Sequence, residues 1–202
     1  MDRVLVAFFS VLAVLAALPK GSCLAEEAEE AKVEGLVAPA SSVKEIAEAQ
    51  KALAGGDIDT AKKVLRPLSL SGDETSHEAT LRLAQVYYQE GNLRDAQSLC
   101  EKATQQTVSR YLAQTYCLLG DIYETQEKTE EALLGYLRVC LLFPTSKFRP
   151  EALFKAAGCF ETLGEQDRAD ELRRELKRDF PNSPYTGRLR DGQTKEKEGE
   201  GG

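Results

Sequence analysis

The chain holds one histidine and no tryptophan among 202 residues. His77 follows Ser71-Gly72-Asp73-Glu74 and stands beside Glu78 at the expected start of a helix. No nucleophile motif and no second ligand lies near it. A catalytic triad or a histidine-based metal site therefore lacks material. Gly55-Gly56-Asp57 lacks the GxxxxGK[ST] frame of a phosphate loop and reads as a turn between paired helices. Glu26-Glu27 and Glu29-Glu30 could hold a hard cation loosely, but a solvated charged linker explains them more simply. Beyond Cys23, the cysteines are Cys100, Cys117, Cys140 and Cys159. With no CxxC pair, they make neither a zinc knuckle nor a thioredoxin motif. No catalytic residue, metal or cofactor is expected, and the chain reads as a non-enzyme.

Composition narrows the remaining classes. The chain has 33 acidic and 26 basic residues, a net charge of −7, where a nucleic-acid binder needs a basic stripe. A hydrophobic content of 42 % is enough for a packed core. Abundant Ala, Leu, Glu, Lys and Arg, with few β-branched residues, favour helices over sheet.

Residues 1–25 read as a secretory signal peptide: Arg3, an apolar run over 4–18, then Cys23-Leu24-Ala25 before Glu26. The run is short for a span of about 20 residues. Cleavage after Ala25, lipidation of Cys23 and retention as an anchor are the three fates left open. Membrane contact is expected only if Cys23 is lipidated. Residues 26–41 read as a flexible acidic linker and 187–202 as a disordered charged tail. Between them, 42–186 should fold.

The strongest signal is a repeat. Ala61, Ala96, Ala132 and Ala169 recur at intervals of 35, 36 and 37 residues, each after a turn. Before three of those turns a small residue precedes an aromatic by three: Ala84 and Tyr87, Gly120 and Tyr123, Ala157 and Phe160. Phe143-Pro144 and Phe180-Pro181 close two units. A period in this range predicts stacked helix pairs, here about four units over 42–75, 77–112, 113–149 and 150–183. The expected fold is all-α, a right-handed α-solenoid. Cys100 and Cys117 then lie at one height on consecutive helices, so a bridge is possible if their faces converge. Cys140 and Cys159 are about 13 Å apart along the axes at 1.5 Å per residue, beyond the ~7 Å limit for a disulfide. Four buried free thiols are the simpler reading.

These motifs resemble the tetratricopeptide repeat family. The resemblance covers roughly 42–182. The third unit fits best: Tyr116, Leu119, Gly120, Tyr123, Ala132, Tyr136 and Pro144 all fall in register. The first unit is degenerate, with Pro67 shortening its second helix. The stretch from Phe143 to Tyr185, with Phe-Pro-x-Ser at both ends, is similar to bacterial envelope proteins of this class. Those include outer-membrane assembly lipoproteins and the periplasmic partner of the Tol-Pal system. The resemblance implies an exported protein, periplasmic or secreted, with association to the outer membrane as one form.

In such a solenoid the first helix of each unit lines the inner curve. By register, that face holds Leu81, Gln85, Tyr88 and Gln89, then Gln114, Cys117, Asp121 and Glu124, then Glu151, Phe154 and Glu161. Family members that grip C-terminal carboxylates carry Lys, Arg and Asn here, and this chain has none at those positions. An acidic groove with aromatic points suits an extended or helical protein segment with some positive charge. The expected function is a non-enzymatic adaptor or scaffold of the bacterial cell envelope. Its partner is a protein, not a nucleic acid or small-molecule substrate. The alternative is a structural protein that self-associates by stacking its terminal repeats.

Overall fold

A computed structural model describes residues 40–71, 74–105 and 110–189. The signal-peptide and linker readings therefore lie outside the described residues, except at Ala40, where the first helix already begins.

Among the described residues eight helices run in order: α1 (Ala40–Ala54), α2 (Ile58–Leu68), α3 (Glu74–Gln89), α4 (Leu93–Thr104), α5 (Leu112–Thr125), α6 (Thr129–Leu142), α7 (Arg149–Thr162) and α8 (Gln166–Asp179). The same residues contain no strand. Each odd helix packs on the even helix after it, and each even helix on the next odd one. First helices also touch their successors, α1 on α3 and α3 on α5. Second helices do not approach one another to a comparable extent among the described residues, so the first helices form the inner side.

The recurring alanines explain the pairing. Ala61, Ala96, Ala132 and Ala169 are all fully buried, where a larger side chain would push the helices apart. The turn after each first helix is the same in all four units. A reverse-turn hydrogen bond runs from Asp57 N to Ala52 O, Asn92 N to Tyr87 O, Lys128 N to Tyr123 O and Glu165 N to Phe160 O, at 2.8–2.9 Å. This closure needs a residue in the left-handed region. Gly56, Gly91 and Gly164 supply it without strain, while the third unit uses Glu127 at φ 61. Asp57 and Asn92 then cap α2 and α4 by accepting from the Thr60 and Asp95 amides.

Between units a second device repeats. Ser146 Oγ accepts from Phe148 N at 3.2 Å, and Ser183 Oγ from Tyr185 N at 3.3 Å. The second copy starts a further helical stretch over 184–189, which runs three residues into the expected tail. Thr186 is fully buried there and donates to Phe180 O at 2.7 Å, covering the end of α8. Residues 184–189 thus stand where a fifth unit's first helix would begin.

The thiols of Cys100, Cys117, Cys140 and Cys159 are free and buried, with no Cys100–Cys117 bridge. Burial pushes Cys100 and Cys140 up to about 12 and Cys159 to about 11, so they behave as small apolar residues.

Candidate functional site

The centre of the inner face depends on a missing side chain. A Cβ on Gly120 would lie 2.5 Å from Tyr136 Cε1 and 2.8 Å from Cδ1 and Cζ. A Cβ on Gly135 would lie 3.1 Å from Gly120 Cα. So α5 and α6 cross glycine on glycine, and the Tyr136 ring threads the space beside Gly120. The ring is wholly buried. Its hydroxyl emerges on the inner side, 2.6 Å from Asp121 Oδ1 and 2.8 Å from Glu124 Oε2. A tyrosine rooted in a second helix thereby contributes to a face made of first helices.

Lys155 of α7 completes the cluster. Its Nζ is 2.7 Å from Asp121 Oδ1 and 2.8 Å from Glu151 Oε1, and 5.7 Å from the centre of the Tyr136 ring. The Asp121 contact ties the third unit to the fourth. Burial raises the Asp121 carboxyl above its ordinary value, although Lys155 and Tyr136 pull the other way. Burial alone would lower Lys155, but its hydrogen bonds to Asp121 and Glu151 outweigh that and raise it. Three carboxylates therefore surround one ammonium and one phenol, and the floor stays negative. None of these groups has the exposed, activated character of a nucleophile, and no group of potential metal ligands occurs among the described residues.

Farther along, Tyr88 Oη lies 3.1 Å from Thr125 Oγ1, tying the second unit to the third. Gln85 and Gln114 are half-buried, while Gln89, Glu124 and Glu161 are exposed. Glu161 pairs with Arg173 of α8 at 2.5 Å.

Two residues assigned to the open face are not on it. Leu81 is 1 % exposed and packs with Leu118, Leu119 and Ile122. Cys117 is 4 % exposed and packs with Leu153, Ala156 and Ala157. Both precede their unit's small residue by three, and the reason is shared. The next unit's first helix comes close enough to cover that position. Phe154 holds the same register in the fourth unit, and its ring meets Tyr185 at 5.7 Å. It stays half-buried because only residues 184–189 come after to cover it. Lys155, Tyr136 and Thr125 are the additions sequence reasoning missed. Gly120, sixteen residues before Tyr136, was the available signal for one of them.

A family model described as a tetratricopeptide repeat-like domain matches residues 22–151, and a tetratricopeptide repeat model matches 151–183. No curated protein matches the chain. Solved structures share the fold. A tetratricopeptide repeat protein from Parabacteroides merdae ATCC 43184 aligns with TM-score 0.60 and 17 % identity over 73 % of this chain and 56 % of that one. PilF of Pseudomonas aeruginosa aligns at 0.58 and 14 %, over 75 % and 66 %. MamA aligns at 0.55 and 24 %, over 66 % and 74 %. The first family match covers well over half of the sequence, and the four repeated turns give it a physical basis. The chain belongs to the tetratricopeptide repeat family.

Proposed function

We propose that this protein is a non-enzymatic adaptor of the bacterial cell envelope, binding a partner protein's segment along its inner face. The family supports the coarse part, because its members generally mediate protein–protein association. The apolar run over 4–18 and the Phe-Pro-x-Ser pattern support an exported setting, periplasmic or outer-membrane-associated. One observation carries the binding reading. Asp121, Glu124 and Glu151 gather around a single Lys155 on the floor of the inner face. That excess of carboxylate favours a segment with Lys or Arg among its contact residues. Gln85 and Gln89 add amide donors and acceptors for an extended backbone.

Stacking through terminal repeats finds less support. The outward side of α8 carries Asp167, Asp170, Arg174 and Lys177, the charged surface expected of a capping unit.

The test is a photo-crosslinking residue at Gln89, introduced in cells, with the attached protein identified by mass. Capture should fall with Glu124→Lys, which reverses charge at the exposed edge, and should weaken as salt rises. Equal capture by Glu124→Lys and wild type would overturn the acidic-groove reading. Absence of any crosslinked protein from Gln89 would overturn the adaptor reading.

A further inference from the structure

The outer face of the third unit differs from the others. On α6 the outward positions are Glu130, Glu131, Leu134, Arg138, Leu141 and Leu142, all exposed. The three leucines are 55 %, 76 % and 60 % exposed. The repeat itself shows that the fold does not need them. Counting from the central alanine, the position of Leu134 is Lys63, Ser98 and Glu171 in the other units. The position of Leu141 is Gln105 in the second unit and Arg178 in the fourth. Leu70 fills it in the first, but beyond the end of α2. Among the described residues only α6 combines these leucines into a stripe along one helix, with the spacing of a helix-packing seam.

We propose that this stripe is an interface between two copies of the chain, with α6 packed antiparallel on α6 of its partner about a two-fold axis near Arg138. The stripe is self-complementary in that sense. Leu134 lies about one turn before Arg138 and Leu141 and Leu142 about one turn after, so antiparallel pairing sets Leu134 against the partner's Leu141 and Leu142. The flanks match in charge as well. Glu130 and Glu131 open the helix, and exposed Lys147 lies beyond its end. The same pairing brings each acidic start to the partner's basic end. Arg138 does not obstruct the axis, because its guanidinium lies back over the Tyr116 ring of its own chain at 5.6 Å. The interface leaves the inner face open, so a dimer would present two grooves.

Sedimentation of the full chain over a wide concentration range tests this. Wild type should pass from monomer to dimer. Leu134→Ser with Leu141→Gln installs the second unit's residues, so the fold should keep its helical circular dichroism. Association should weaken by on the order of a hundredfold. Glu131→Lys should also weaken it, and adding Lys147→Glu to the same chain should restore it. A wild-type monomer at every concentration overturns the proposal, whether a lipid surface or residues 4–18 then cover the stripe. So does a dimer that the leucine pair leaves unchanged, or a charge-reversed pair that fails to recover.

Discussion

Replacing Gly120 with alanine tests the packing that builds the groove floor. The new Cβ would fall 2.5 Å from a Tyr136 ring carbon, well inside a real carbon–carbon contact. Relief requires the ring or a helix to move. The ring is fully buried, and its hydroxyl is held by Asp121 and Glu124. Gly135 already meets the α5 backbone, so the helices have no slack. Overpacking of this kind costs about 1–3 kcal/mol. Displacing a phenol from charged acceptors adds about 1.5–3 kcal/mol. Alanine's better helix propensity returns about 1 kcal/mol. The net expectation is a loss of roughly 2–4 kcal/mol.

Gly158 provides the control. It comes after Ala157, the fourth-unit counterpart of Gly120, and an added Cβ there meets nothing within 4 Å. The same substitution should stabilise by about 0.5–1 kcal/mol. The repeat also suggests a rescue. Sixteen residues after the small residue come Cys100 after Ala84, Tyr136 after Gly120 and Arg173 after Ala157. Alanine is used wherever the later residue is not Tyr. In a Tyr136→Cys background, Gly120→Ala should therefore be neutral or stabilising. Urea unfolding monitored by circular dichroism reads all four variants and wild type. If Gly120→Ala matches wild type, or shifts in the same direction as Gly158→Ala, the threading of Tyr136 past Gly120 is refuted.

Asp121→Asn should change the acid dependence of stability. The folded-state pKa of Asp121 is raised, so its contribution is present below the usual carboxylate range and lost as pH rises through the folded value. Wild type should therefore lose ground relative to Asp121→Asn as pH rises from acid toward neutral, and parallel urea midpoints across that range would contradict this. Glu127→Gly should stabilise by about 1 kcal/mol by relieving the left-handed turn at φ 61; an unchanged or lower urea midpoint counts against it. Cys100, Cys117, Cys140 and Cys159 should resist alkylation until the chain unfolds, and peptide mass mapping that finds any of them labelled in the native state would contradict their burial.

The fold was legible because its periodic constraint falls on single residue types. An alanine every 35 to 37 residues marks where two helices touch, and three glycines mark where the chain must turn left-handed. The remaining turn, in the third unit, hid because Glu127 does the work of glycine there. The groove was less legible because register tells which side of a helix a residue occupies, but not how near the neighbouring helix comes. Leu81, Cys117 and Phe154 share one register, yet two are sealed and one is half-open. The difference lies in the next stretch of chain: a full first helix after the second and third units, and residues 184–189 after the fourth. Lys155 escaped for the converse reason. A lysine on a charged helix reads as solvated, and only stacking of the third unit on the fourth brings Asp121 to it. The chemistry of this face is therefore decided by the contact between units, which a pattern within one unit does not encode. The pairing of Gly120 with Tyr136 is the exception, because both residues lie inside one unit, and there the sequence did carry the signal.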